Sequence, residues 1–196
     1  MRRFLGSVLL MGAMMAAPLM AQARHAATKA ASKDPSRCSV AFTYDPAHAN
    51  TAGGQGFAMQ GAGAQFQVRV WRGLGLMADF AGLHAGNIHS SGVGLDLTTY
   101  TFGPRYTWRL GRMSLYMQGL VGGAHGFNGL FPHTGGATTM ANSVAALAGG
   151  GVDVALAHHV ALRLVEADWL RTDLPNSTNS AQNTLRLGFG VVWRFR

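Results

Sequence analysis

Residues 184–195 read TLRLGFGVVWRF. Taken alternately, Leu185, Leu187, Phe189, Val191, Trp193 and Phe195 fall on one side of an extended chain, and Arg186, Gly188, Gly190, Val192 and Arg194 on the other. A period of two is strand geometry, because successive side chains of a β-strand point to opposite faces. Which face carries what decides the fold. One face is bulky, apolar and aromatic; the other holds glycine and arginine with a single valine. A soluble ligand-carrying barrel fills its interior with the apolar set. Glycine and arginine on the narrow face, with aromatics on the wide one, suit a strand whose outside meets hydrocarbon and whose inside meets a small lumen.

The same division recurs upstream. In the segment 97–110, Tyr100, Phe102, Pro104, Tyr106 and Trp108 oppose Thr99, Thr101, Gly103, Arg105 and Thr107. In 57–71, Ala64, Phe66, Val68 and Val70 oppose Gln65, Gln67 and Arg69. Six of the eight predicted strands cover 39–46, 57–71, 74–85, 97–110, 113–125 and 143–156. The last two cover 159–170 and 184–195. Short connections at 72–73, 111–112 and 157–158 alternate with long polar or glycine-rich ones at 47–56, 86–96, 126–142 and 171–183. Short turns at one end and long loops at the other are the layout of membrane barrels. The expected fold is all-β, an eight-stranded antiparallel up-and-down transmembrane β-barrel, with both termini at the turn end.

One strand departs from alternation. Leu162 and Leu164 share parity with Glu166 and Asp168, which would point two acids at lipid, a costly placement. A single β-bulge near 164–165 would return both carboxylates to the inside and send Val165, Ala167 and Trp169 outward; the alternative is a strand that leaves the hydrocarbon zone by Glu166.

Composition agrees. Charged residues are 12% of the chain and hydrophobic residues 48%, against about 25% charged in ordinary soluble domains. The formal net charge of +8 raises the question of nucleic acid. No lysine follows Lys33 and the arginines stand singly among apolar residues, so the gathered basic face that binding needs is not expected. Cys38 stands alone; it can form no internal disulfide, and Ser36-Arg37-Cys38 is not a lipid-anchor motif. Residues 1–23 read as a cleaved secretory signal peptide: Arg2 and Arg3, an uncharged apolar run, then Ala21-Gln22-Ala23. Residues 24–37 read as a flexible leader and 38–196 as the barrel domain. No later stretch offers about 18 consecutive apolar residues. A membrane-embedded mature chain would therefore have to be a closed barrel.

Parity places Arg69, Asp79, Arg105, Gln118, Asp153, Arg163, Glu166, Asp168, Arg186 and Arg194 inward. An eight-stranded lumen is just wide enough for side chains to fill, and buried charges must pair. Paired charges plugging the lumen are expected, with a gated pore as the alternative. Trp108, Trp193 and Phe195 gather toward the turn end, with Trp71 nearby. Phe42, Tyr44, Phe57, Phe80, Tyr100, Phe102 and Trp169 gather toward the loop end, as two interfacial girdles.

His84, His89, Ser90 and Ser91 surround the second loop, with Asp96 near in sequence. A Ser–His pair could supply nucleophile and base, yet these are ordinary loop residues, and no catalytic residue is assigned. His125 and His133 belong to the third loop and His158 and His159 to the opposite end. A metal site needs convergent ligands; no metal or cofactor is expected.

With these features in place, the sequence resembles the small outer-membrane β-barrel proteins, the opacity-protein and OmpA-like transmembrane-barrel kind. The resemblance rests on the leader, the eight-segment layout and the closing run 183–195. It also rests on Gly149-Gly150-Gly151-Val152-Asp153-Val154 followed by His159-Val160-Ala161-Leu162-Arg163, which looks like the penultimate hairpin of that group. Members usually end on the aromatic itself, whereas here Arg196 follows Phe195. The resemblance implies residence in the cell outer membrane among its lipids and recognition of the closing run by the barrel-assembly machinery. It implies a monomeric barrel with a structural or surface-interaction role and an unidentified extracellular ligand at the loops. A small porin-like channel, an outer-membrane lipid-modifying enzyme and a soluble periplasmic β-domain are the alternatives. With the chain ending at its last strand, tethering to the cell wall through a further domain is not expected.

Overall fold

The computed structural model describes residues 36–50, 56–88, 93–133, 135–176 and 180–195. The signal peptide expected over 1–23 and the leader as far as 35 lie outside the described residues. The described chain forms strands β1 (Cys38–Tyr44), β2 (Ala47–Asn50), β3 (Gly56–Trp71), β4 (Leu74–Ala85) and β5 (Leu95–Leu110). These are followed by β6 (Met113–His133), β7 (Gly136–Ala155), β8 (Val160–Thr172) and β9 (Gln182–Phe195).

β1 and β2 both lie between β3 and β9 and keep one register. Tyr44 faces Ala62 and Phe189, and Ala47 faces Met59 and Arg186. They are a single stave interrupted at Asp45-Pro46, because proline has no N–H for the ladder. The Pro46 carbonyl still accepts the Leu187 N–H at 2.9 Å. The segment 47–56, expected as loop, is therefore strand over its first four residues. Each stave pairs antiparallel with its neighbours, and β1–β9 with β3–β4 close the sheet into an eight-stave barrel. Closure removes every edge within the wall.

The turns at 72–73 and 111–112 are two residues long, and Arg72 (φ 44°) and Gly111 (φ 67°) take the left-handed conformation such hairpins need. The β7–β8 connection spans 156–159 rather than 157–158.

The largest correction concerns 126–142. β6 and β7 continue as a paired ribbon up to His133 opposite Gly136, with a register shift between Phe127 and Phe131. The stretch is rich in Gly, Thr and Ala and lacks an apolar period, so its strand character comes from its partner and not from its own pattern. In β8, the bulge sits at Leu164: Val152 pairs with Val165 while Asp153 pairs with Arg163. Glu166 and Asp168 consequently point inward and Trp169 outward, 52% exposed.

The interior is layered. Ala41, Ala161 and Val192 pack together near the turn end. Charged and amide side chains fill the middle. Toward the loop end the interior turns apolar, with Ala49, Met59, Leu83, Leu97, Leu147 and Leu170 among its members, under Phe131 and Leu174. The expectation of small or charged groups throughout the lumen holds for the turn-side half only.

This layering mirrors the outside. In β5, Asp96 and Thr98 point out while Leu97 points in; beyond them Tyr100 and Phe102 point out while Thr99, Thr101 and Arg105 are buried. β4 changes in the same sense between His84 and Phe80, and β8 between Arg171 and Trp169. Above this line the barrel has the polarity of a soluble protein; below it, the inverse. From that line to the end of β5, residues 100–110 number eleven. Such a length of tilted strand spans a bilayer core.

Candidate functional site

The chemistry-bearing groups meet in the middle of the lumen. β8 and β9 supply the two arginines on which the acids converge. Arg186 donates to both Asp79 oxygens at 3.0 and 2.9 Å and to Asp168 Oδ2 at 2.8 Å. Arg163 donates from Nε to Asp153 Oδ1 at 2.9 Å and from Nη1 to Glu166 Oε2 at 2.6 Å. Asp45, set inward by the interrupted first stave, stands 3.9 Å from Arg186.

Amides connect the pairs. The Gln65 Nε2 group donates to Asp79 at 2.8 Å and to Glu166 at 2.5 Å, and its Oε1 accepts from Arg105 at 2.9 Å and from Arg163. Gln118 accepts from Arg105 Nε at 2.9 Å and donates to Asp168 at 2.8 Å. The Tyr116 hydroxyl donates to Glu166. Its ring lies between two guanidinium groups, with Arg105 4.0 Å and Arg163 4.9 Å from the centroid, a geometry in which the ring face attracts each cation. Asp79, Asp153, Glu166 and Asp168 each accept from a guanidinium or an amide N–H, the condition for charge to be tolerated out of water, whereas Asp45 Oδ2 is buried without a hydrogen-bond partner. Glycines make the room: a Cβ at Gly149 would lie 2.0 Å from Asp168 Oδ1 and 2.4 Å from the Ala167 carbonyl.

Of the sequence-predicted lumen set, Asp79, Arg105, Gln118, Asp153, Arg163, Glu166, Asp168 and Arg186 come together here. Arg69 and Arg194 do not; they line a cavity at the turn end. Sequence reasoning named Gln65 as inward-facing but not as the hub, and it missed Tyr116 and Asp45. Tyr116 was legible from its parity with Gln118. Asp45 was hidden by the expected strand end at Pro46.

The two ends differ. At the loop end, outside the wall, His84 Nδ1 lies 2.5 Å from Asp96 Oδ1, and Asn128 Nδ2 donates to Asp96 Oδ2 at 2.5 Å. Asn128 has a left-handed φ of 57° at the β6 irregularity, so this clamp holds the backbone that carries Phe131 over the interior. Beside it His125 Nδ1 meets Asn142 Oδ1 at 2.6 Å and stacks on Phe127. His89, Ser90 and Ser91 lie outside the described residues. His159, at the turn end, meets the Arg194 carbonyl. No three His, Cys, Asp or Glu side chains converge on a metal-sized site among the described residues.

Tyr100, Phe102, Trp108, Trp169, Trp193 and Phe195, the aromatics expected at the interfaces, are all exposed on the outer wall. Phe42, expected toward the loop end, instead makes an edge contact at 6.1 Å with Trp193 of the turn-end group, and Tyr106 and Trp108 make one at 4.7 Å.

No protein-family model and no curated protein matches this sequence. Its fold does have solved counterparts. Neisserial surface protein A aligns at TM-score 0.62 and 15% identity, over 82% of this chain and 98% of that one. Ail, the attachment invasion locus protein of Yersinia pestis, aligns at TM-score 0.57 and 17% identity, over 82% of this chain and 99% of that one. Ail in complex with the heparin analogue sucrose octasulfate aligns at TM-score 0.54 and 17% identity, over 81% and 97%. At these identities the likeness is one of fold, and by its strand count, closure and inside-out middle the chain has the fold of the small outer-membrane β-barrels.

Proposed function

We propose that this chain is an outer-membrane barrel whose body is structural, whose lumen is closed by the buried charge cluster, and whose loop end meets the exterior as an interaction surface. The observation that carries the reading is the inversion of polarity along the staves. An outer belt of exposed apolar side chains on every stave, Phe42, Phe66, Phe80, Phe102, Val121, Val144, Trp169 and Phe189 among them, surrounds buried arginines and acids. In water that arrangement would expose the large side chains and bury the charges, both unfavourable; in a bilayer it is the stable one. In this reading the aromatics at Tyr100, Phe102 and Trp169 seat the outer interface, and Trp108, Trp193 and Phe195 the periplasmic one. Export by a cleaved signal peptide at 1–23 and insertion through the assembly machinery complete it. Ail, which shares the fold, has been crystallised with a heparin analogue, which supports an interaction role for a barrel of this fold. The reading gives the histidines no chemistry: Asp96 is occupied on one oxygen by His84 and on the other by Asn128.

The test is electrophoretic. The refolded chain in detergent is run with and without boiling. Faster migration of the unboiled sample, with β-rich circular dichroism, is expected of a closed membrane barrel. Identical migration together with full solubility in the absence of detergent would overturn the reading.

A second reading, a narrow channel, is favoured by one observation. The cavity at the turn end reaches inward as far as Tyr116 and Asp153, at the edge of the charge cluster. Single-channel recording in planar bilayers separates the two.

A further inference from the structure

Where β6 and β7 rise past their neighbours, a groove lies on the ribbon that neither the plug nor the Asp96 clamp accounts for. It offers about 440 Å³ and is lined by His125, Phe127, Asn128, Thr139 and Met140. Phe127 and Met140 are paired across the ribbon, and Met140 is 59% exposed. The His125 ring stacks on Phe127 with centroids 5.7 Å apart. Residues outside the groove hold its members in place. Asn142 engages His125 Nδ1, and Asp96 accepts from Asn128 Nδ2. Thr138 Oγ1 bridges the Met140 N–H and carbonyl. His125 Nε2, Asn128 Oδ1 and the Thr139 hydroxyl keep their hydrogen-bonding capacity unused among the described residues. A pre-formed depression with apolar side chains and a few polar groups has the character of a small-molecule site, for which about 300–1,000 Å³ is usual.

Height decides what can reach it. His125 pairs with Thr98 and Phe127 with Asp96, the first two outward rungs above the line at which the wall inverts. Outward rungs on a tilted strand rise about 5 Å each, and the headgroup layer beside the hydrocarbon is about 5–7 Å deep. The first rung therefore lies among the headgroups and the second at or beyond their outer edge. A phospholipid headgroup ends below the second rung; a sugar carried on a lipid reaches it. Among the described residues, no Asp, Glu, Lys or Arg lines the groove. The nearby Asp96 is closed by His84 and Asn128. The charge-assisted bonds that select phosphates and carboxylates are therefore not on offer. A pyranose suits what remains. Its C–H face packs on an aromatic ring, and its hydroxyls donate and accept, meeting an imidazole nitrogen, an amide oxygen and a hydroxyl. We propose that the groove holds a sugar of a glycolipid anchored in the surrounding outer leaflet. The inference rests on the outer-membrane reading and gives its interaction surface a partner class.

The test follows the refolded, isotope-labelled full chain by NMR in nanodiscs. Phosphatidylcholine discs are compared with discs that also contain rough-type lipopolysaccharide, as the glycolipid, or phosphatidylglycerol, as an anionic lipid without a sugar. With lipopolysaccharide, amide shifts are expected at 125–128 and 139–142, growing with its fraction to saturation. The half-saturating fraction should rise about fivefold in Phe127→Ala, which removes the ring. Met140→Ala, at an exposed position, and Thr139→Val serve as further variants should Phe127→Ala fail to fold. His48→Gln, outward on β2 across the barrel from β6, should leave the saturation curve unchanged. Heat-modifiable gel mobility shows separately that each chain forms a membrane barrel, so a failure of the groove is distinguishable from a failure of the outer-membrane reading. Equal shifts with phosphatidylglycerol, absence of saturation, or the same half-saturating fraction in the wild type and a folded groove variant overturns the proposal.

Discussion

Gln65 shows how one residue can hold a buried charge cluster together. An amide both donates and accepts, and Gln65 uses both capacities, giving to Asp79 and Glu166 while taking from Arg105 and Arg163. Leucine at this position would leave four polar partners each short of a bond, at about 1–3 kcal/mol for each one that finds no substitute. Gln65→Leu is therefore expected to lower the urea midpoint of the refolded barrel by the equivalent of about 3 kcal/mol or more. An unchanged midpoint would mean that the cluster re-pairs without its hub. Space is as critical as bonding. Gly149→Ala drives a methyl into Asp168 and the Ala167 backbone, whereas a Cβ at Gly119 meets nothing within 4 Å. Gly149→Ala is expected to lose most of the heat-modifiable folded species on a gel, and Gly119→Ala to keep it. Equal yields would show that β8 can move away.

At the scale of the strand, the inversion of polarity sets where each stave enters the bilayer. Thr98 and Val121 both face outward, Thr98 above the inversion line and Val121 within the apolar belt beside Phe102. An arginine on the lipid face costs about 2–4 kcal/mol at the midplane and little near the interface. Val121→Arg should therefore depress equilibrium stability in lipid vesicles by an amount in that range, and Thr98→Arg by much less. Comparable losses would place the line elsewhere.

The clamp at the β6 irregularity is an element-scale device with a pH signature. The hydrogen bond to His84, and then that to Asn128, hold the Asp96 carboxyl below its ordinary value. A lowered folded pKa means that the contribution is fully present above the unfolded value, about 3.9, and is lost as pH falls through the lowered value. Backbone protection near Asn128, measured by hydrogen exchange, should be constant from neutral pH to about 4 and decline below. Asp96→Ala should show the low-protection state at every pH. Protection indifferent to both changes would mean that the bulge is held by its own backbone.

Over the whole molecule, two seals lie in series: the charge cluster, and above it the apolar layer under Phe131 and Leu174. Opening one leaves the other closed. Leu120 is buried in that same apolar layer, and in planar bilayers the wild-type chain, Arg105→Ala alone and Leu120→Ala/Phe131→Ala alone should all be nearly silent, while the combined variant should conduct. Conductance in Arg105→Ala alone would show that the apolar layer is no barrier to ions.

Much of this was legible in the amino-acid order. Period-two alternation with aromatics on one side and arginine, glycine and carboxylates on the other determines the all-β class, the inside-out wall and the inward set. Two acids out of parity in 159–170 pointed to a bulge near 164–165, and the register against β7 fixed it at Leu164. Alternation is a local property and each strand carries its own record of it. Tertiary structure alone decided the rest. It extended the first stave through Pro46 and brought Asp45 inside. It turned 126–142 into a ribbon, because pairing with a neighbour supplies strand character where the chain has no period of its own. It separated Arg69 and Arg194 from the plug and placed them with Arg37 and Arg109, since parity tells inward from outward but says nothing of height. Height along the axis depends on the register of every stave against its neighbours, and so do the partners each inward charge finds across the lumen.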